Sequence, residues 1–326
     1  MEINQYITKK LLESNKKIKI LTKCKNKAIN RMIDCMLSES GRQLRLRLML
    51  ASVFYFNCEN DISECAAVIE LIQIAESAHG EIINKPDFRH RAVISEKFGI
   101  EAAVLLGDHI IYSILTKTNL DTQVRKMILD CISDVYEIRN NNKLFDLSIT
   151  CEEYIESVIG KTAGVYGLSM KLGAFLGGAD TEETEIFEKI GIIYGILFQI
   201  NDDLLDIFSQ TNENRKPVFY DFYNGIYTLP VIMARINRIT QREMLKLQAK
   251  IKQNGMTDDD KDVLLGILRE TNAFDKTYEK AGEFYEKGVE LIKNLEDGGA
   301  KTHFLNYYNK IYKNIENKCK KRILEI

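Results

Sequence analysis

Apolar residues recur at three- and four-residue spacing through long proline-free stretches, most clearly over 66–83, 153–176 and 184–208. That spacing puts them on one face of a 3.6-residue repeat, so each stretch is predicted to be an amphipathic or buried helix. The chain has three prolines, Pro86, Pro217 and Pro230, and each sits beside other loop signals. Proline inside a helix removes a donor and clashes with the preceding turn, so their placement leaves the helical runs intact. No run alternates with a two-residue period, and no Asn-Gly or Asp-Gly pair joins two such runs, so strands are not expected. Breaks fall near 57–61, 84–91, 140–142, 177–181, 209–217 and 254–260. None has the length or low complexity of a linker, so one all-α domain over residues 1–326 is expected.

One helix carries chemistry. In GIIYGILFQINDDLLD, residues 191–206, a 100° step places Asp202, Asp203 and Asp206 within one third of the circumference. Gln199, Gly195 and Gly191 share that stripe, and apolar side chains cover the rest. A helix apolar over most of its surface is buried, so the acidic stripe is expected to face an internal cavity. Converging buried carboxylates repel one another and need a cation. Magnesium fits: it is hard, prefers oxygen, and takes one or two carboxylates plus water and substrate phosphate. The glycines are expected to leave room for the occupant.

Composition narrows the class. A net charge of -2 gives no reason to expect nucleic acid or an anionic membrane as partner. The seven cysteines are odd in number, scattered and free of CxxC pairs, which points to reduced thiols and a cytoplasmic location. The N-terminus lacks the apolar core of a secretory signal, and no run reaches the roughly 18 apolar residues a spanning helix needs.

A metal–diphosphate site also needs cations around the phosphate oxygens. GRQLRLRL, residues 41–48, sets Arg42 and Arg45 three apart on one helix face. In GKTAGVYG, residues 160–167, Lys161 and Thr162 are expected to open a helix. RKPVFYDFYNGIYTLP, residues 215–230, brings Lys216 and Asp221.

Those blocks, in that order, resemble the trans-isoprenyl diphosphate synthase (polyprenyl synthetase) family over nearly the whole chain. The family's GK-x-x-R motif resembles Gly41, Arg42 and Arg45, with arginine for lysine. Its E-x-x-Q/H segment matches Glu70 and Gln73, and its FG…GD segment matches FGIEAAVLLGD, with Gly107 and Asp108. Its KTA matches Lys161, Thr162 and Ala163. Its FQ-x-x-DD-x-x-D motif matches Phe198, Gln199, Asp202, Asp203 and Asp206. Its GKP…D…G…TLP segment matches Lys216, Pro217, Asp221, Gly225, Thr228, Leu229 and Pro230.

The resemblance implies a bundle of long antiparallel helices around a deep central cavity, working as a homodimer or within a heterodimer. It also implies magnesium-dependent ionisation of an allylic prenyl diphosphate, whose carbocation is attacked by isopentenyl diphosphate. By position, Arg42, Arg45 and Gln73 would grip isopentenyl diphosphate. Asp202, Asp203 and Asp206 would bind magnesium, Lys161 and Lys216 would hold the allylic diphosphate, and Thr162 and Gln199 would line the reacting centre.

The first acidic motif departs from the family. Where DD-x-x-D follows a histidine there, His79 is followed here by Gly80, Glu81, Ile82, Ile83 and Asn84. Glu81 and Asn84 are the residual metal donors, and the arginine pair becomes Arg89 and Arg91 around His90. Ile226 replaces the family's lysine, Asn140, Asn141, Asn142 and Lys143 replace a glycine–glutamine turn, and Glu76 stands where the family sizes its product cavity. The leading expectation is a prenyltransferase with altered metal use at this motif. The alternatives are a class I terpene synthase-like enzyme that ionises or cyclises a prenyl diphosphate, and a non-catalytic subunit of a heteromeric synthase.

Overall fold

The computed structural model describes residues 2–38, 43–83, 94–140, 146–208, 218–235 and 238–321, with the backbone alone at 38, 81–83, 138–140 and 321. Arg42, Asn84, Arg89, Arg91, Lys216 and the Glu81 side chain therefore lie outside the described residues.

The described chain is helical and contains no strand. In order come α1 (Ile3–Thr22), α2 (Lys27–Ser38), α3 (Leu44–Tyr55), α4 (Ser63–Ile83), α5 (Ile94–Phe98), α6 (Ile100–Lys117), α7 (Thr122–Asn140) and α8 (Cys151–Val158). A π-helical turn (Ile159–Ala163) leads into α9 (Gly164–Gly177) and then α10 (Thr181–Phe208). The remainder is α11 (Tyr220–Tyr223), α12 (Leu229–Ala234), α13 (Arg238–Asn254), α14 (Asp258–Glu270), α15 (Ala273–Lys293) and α16 (Gly299–Lys321). The three longest predicted runs thus appear as α4, α8 through α9, and α10. Among the described residues no helix is long and apolar enough to cross a membrane.

Contacts divide the chain into two compact units. The first comprises Met1–Ser133, Val165–Gly191 and Leu295–Phe304. Its core follows from α4, whose Ala66, Ala67, Val68, Ile69, Leu71, Ile74, Ala75 and Ala78 are sealed from solvent. Small residues let neighbours approach closely: a side chain at Gly173 of α9 would meet the Met49 carbonyl of α3 at 2.5 Å. Tyr55, Phe56, Phe187 and Phe304 close the unit with tilted and edge-on ring contacts.

The second unit comprises Asp134–Gly164, Ile192–Asn294 and Leu305–Ile326. It holds the acidic part of α10, packed through the buried side chains of Ile196, Leu197, Ile200 and Leu204. Each such side chain contributes about 1.5–3 kcal/mol by leaving water. Gly288 of α15 makes room for Tyr308 of α16, whose Cε1 would lie 2.1 Å from any added Cβ. Tyr312 then stacks between Tyr278 and Tyr285, with ring centroids 5.2 and 4.2 Å away.

Candidate functional site

The three aspartates of α10 have different surroundings. Asp202 is partly exposed, whereas Asp203 and Asp206 keep only 2% and 4% of their surface. Asp203 Oδ2 accepts from the Tyr154 hydroxyl at 2.5 Å and from the Leu229 N–H at 3.0 Å. Its Oδ1 accepts from Gln199 Nε2 at 2.9 Å. An ionised carboxylate offers about four acceptor positions, so protein donors occupy three of them. Burial pushes the Asp203 carboxyl up to about 6, against the pull of Tyr154, Gln199 and Leu229, and the charge of Asp221 pushes the same way. Burial also holds the Tyr154 hydroxyl well above its ordinary range, with the Asp203 charge adding to it, so this group stays a donor.

The expectation that the stripe glycines leave room for an occupant fails at Gly191. The Tyr166 carbonyl of α9 fills that space, 2.4 Å from where a Cβ would stand. Close helix contact, and not a ligand, explains this glycine.

Lys161 and Thr162 do not open a helix as expected. They lie in the π turn, inside a helical run that continues from α8 into α9. Gly164 N–H reaches back to the Ile159 carbonyl, the five-residue step of a π helix, and a Cβ on Gly164 would sit 2.9 Å from that oxygen. Such turns displace a residue from the regular ladder and are frequent at functional sites. Here the displaced Thr162 donates its hydroxyl proton to Gln199 Oε1 at 3.0 Å. Thr162, Gln199, Asp203 and Tyr154 therefore form one hydrogen-bonded chain.

The 218–230 segment explains its own motif. Phe219, in a left-handed conformation (φ 58°), donates its N–H to the Asp206 carbonyl, and Asp221 N–H donates to Asp206 Oδ2 at 3.1 Å. Gly225 (φ 81°) reverses the chain, with Ile226 N–H bonded to the Asp221 carbonyl. Thr228 is extended, and Leu229 then presents a first-turn N–H of α12, one of the donors a helix start leaves without a partner. Asp203 accepts it, while Pro230 beside it has no N–H to satisfy.

Sequence reasoning missed two side chains here. Tyr154 carries no signal in a single sequence, because its partner is 49 residues away. Lys318 of α16 looks like one charge on a basic, solvated helix, yet it donates to Asn201 Oδ1 at 2.6 Å. Burial lowers its pKa, while Cys319 and Asp202 partly restore it, so a partly buried ammonium sits within electrostatic reach of Asp202.

In the first unit, two of the expected isopentenyl diphosphate residues are described: Arg45 on α3 and Gln73 on α4. The Arg45 guanidinium stacks 4.3 Å above the Tyr166 ring, and its Nε is buried without a hydrogen-bond partner. Gln73 Nε2 donates to Ser77 Oγ at 3.1 Å, and Glu70 and Glu76 are buried on the same helix. The FG…GD block has a packing reason. Gly107 gives way to the His79 ring, whose Nε2 would lie 2.2 Å from an added Cβ, and Asp108 Oδ1 lies 3.1 Å from that nitrogen. His79 is thus tied to α6. Among the described residues no group of three or more His, Cys, Asp or Glu is arranged to hold a metal ion.

Comparison with known proteins identifies a family. The family profile described as polyprenyl synthetase matches residues 26–268. A prenyl transferase from Cyanophora paradoxa is 31% identical over 274 residues, covering 81% of this chain and 83% of the relative. Heptaprenyl diphosphate synthase component 2 of Bacillus subtilis is 25% identical over 82% of this chain and 77% of its own length. The crystal structure of heptaprenyl diphosphate synthase from Staphylococcus aureus superposes with a TM-score of 0.82 at 25% identity, over 94% of this chain and 98% of that one. A Caulobacter crescentus polyprenyl synthase, solved with calcium and isoprenyl diphosphate, gives 0.85 at 20% identity over 95% and 96% of the two chains. The fold is the all-α isoprenoid synthase fold. By the extent of the profile match and by these relatives, the chain belongs to the polyprenyl synthetase family of prenyl-transferring enzymes.

Proposed function

We propose that the chain is a magnesium-dependent prenyl diphosphate synthase that joins an allylic diphosphate to isopentenyl diphosphate, relying on its second acidic motif for metal. The carrying observation is the α10 stripe: three carboxylates, two of them buried, beside a π turn that offers Lys161 and Thr162. The donor set fits magnesium. All its candidate donors are hard oxygens, and magnesium typically takes one or two carboxylates and completes its shell with water and phosphate. Asp202 is the best-placed ligand, because three acceptor positions of Asp203 are already engaged. Asp206 stands one turn further along, with Glu81 and Asn84 as the residual donors of the altered first motif. Bound there, the metal supplies positive charge to the departing diphosphate.

The chain's own residues do the rest. Lys161 and Lys216 hold the allylic diphosphate, and Arg42, Arg45, Gln73, Arg89 and Arg91 hold isopentenyl diphosphate. Arg45 is pre-oriented by its stacking on Tyr166 and has a buried N–H to offer. Thr162 and Gln199 border the reacting carbon, and Lys318 balances Asp202 between turnovers.

The family match spans residues 26–268, which include segments of both compact units, and this supports reading the chain as one catalytic domain. A second copy of the chain is the proposed partner. Leu105, Tyr112 and Leu115 lie within about 80° on α6 at 100° per residue and are 60%, 59% and 43% exposed. A heteromeric assembly is the second reading, favoured by the Bacillus relative being named as one component of a synthase.

The test is direct: purified protein with magnesium and geranyl, farnesyl or geranylgeranyl diphosphate, with and without isopentenyl diphosphate, followed by product mass analysis. Longer diphosphates are expected. Hydrocarbons formed without isopentenyl diphosphate would instead indicate a terpene synthase, and turnover only with a co-expressed partner would indicate the heteromer.

A further inference from the structure

The hydrogen bonds around Asp203 have a direction, and that direction is forced. Its Oδ2 takes two donors, the Tyr154 hydroxyl and the Leu229 main-chain N–H. The second of these cannot reverse, because a peptide nitrogen only donates. An ionised carboxylate only accepts, so the Gln199 amide must turn its NH2 toward Oδ1. Its Oε1 then faces Thr162, and the Thr162 proton is used on it. Thr162 is left with lone pairs and no proton for anything beyond.

We propose that Asp203 is a positioning residue: clamped by Tyr154 and Leu229, it sets the polarity of the Gln199–Thr162 chain so that Thr162 meets the reacting substrate as an acceptor only. This deepens the reading above and rests on it for the identity of the substrate. It also gives Asp203 work separate from holding metal. A residue 2% exposed with three acceptor positions engaged is a poor ligand and a good clamp. Acceptor polarity suits a carbon that gains positive charge as diphosphate leaves, whereas an outward proton would face it.

The clamp dictates the effect of Asp203→Asn. The asparagine must keep its oxygen toward Tyr154 and Leu229, so its NH2 faces Gln199. The Gln199 amide then flips, donates to Thr162 and turns the threonine proton outward. Adding Gln199→Glu reverses this: the introduced carboxylate accepts from the asparagine NH2 and from Thr162, restoring the original direction at unchanged net charge.

The experiment measures kcat and KM with magnesium, farnesyl diphosphate and isopentenyl diphosphate, together with the midpoint of thermal unfolding. Asp203→Asn is expected to lower kcat by about 100-fold or more, the scale of losing one preorganised polar contact, with a far smaller change in KM. The Asp203→Asn/Gln199→Glu protein is expected to recover at least about 10-fold of that loss, roughly half of the barrier increase in energy. A double variant no faster than Asp203→Asn overturns the proposal, because Asp203 would then act through its own charge. Tyr154→Phe, which keeps the ring and the packing, is expected to lower kcat with KM little changed, and an unaltered kcat would count equally against the clamp. Absence of prenyl transfer by the wild-type protein would defeat the functional reading alone. In that case the unfolding midpoints decide the polarity: a double variant whose midpoint returns toward the wild-type value from that of Asp203→Asn supports it, and two additive shifts overturn it.

Discussion

Two buried aspartates of the second unit are treated in opposite ways. Asp203 of α10 and Asp260 of α14 are 2% and 1% exposed. Asp260 has a resident cation, Lys250, whose Nζ lies 2.6 Å away, and it closes a capping box by accepting the Thr257 N–H and hydroxyl. The Lys250 hydrogen bond, with those of Thr257, holds its carboxyl down at about 2. Among the described residues Asp203 accepts from neutral donors, Tyr154, Gln199 and Leu229, and burial lifts it to about 6. The first carboxylate is complete within the protein. The second is held by these neutral donors, beside Asp202, the carboxylate proposed to take the external cation. Partner charge, and not depth, separates structural from functional acid here.

Deleting charge at each aspartate separates the two roles. Asp202→Ala with Asp203→Ala is expected to abolish magnesium-dependent diphosphate binding in calorimetry, and unchanged affinity would refute the metal assignment. Asp260→Asn is expected to leave turnover untouched while lowering the unfolding midpoint, and a large loss of kcat there would erase the distinction.

A pH series sharpens it further. Asp260, depressed below its ordinary 3.8, contributes stability that is present above that value and lost as pH falls toward about 2. Asp203, raised above its ordinary 3.8, weighs against the fold increasingly as pH climbs toward about 6. Denaturant titrations should therefore show stability rising through the first window and falling through the second. Asp260→Asn should flatten the first slope and Asp203→Asn the second. Magnesium with diphosphate should shrink the second slope alone, since a nearby cation favours the ionised form. The smallest effect expected is that of Thr257→Ala, which removes the hydroxyl that caps α14 and donates to Asp260, leaves Lys250 in place, and costs about 1 kcal/mol. Apart from this pair, Leu105→Lys with Tyr112→Lys should convert a dimer to a monomer in light scattering, and an unchanged mass would remove α6 as the contact.

Much of this was legible in the sequence because periodicity is local. The α10 stripe, the long runs of α4 and α8 through α9, and the order of the motif blocks are all visible without coordinates. Asp203's clamp was not, since Tyr154 and Leu229 lie 49 and 26 residues from it. The π turn was hidden because the one residue it adds shifts the apolar spacing only once, within a run that stays helical on both sides. Gly191 misled for a similar reason: the absence of a side chain makes space, but the sequence does not say whether a ligand or a carbonyl fills it. The break at 118–121, between α6 and α7, lacks glycine and proline and gave no strong signal.

The π turn carries a constraint of another kind, on length as well as on identity. A π turn takes one residue more than an α turn for nearly the same rotation, so removing one residue from 159–163 would let the run relax to an unbroken α-helix with little net rotation along it. A single-codon deletion at this point should therefore leave the fold standing while turning Thr162 away from Gln199.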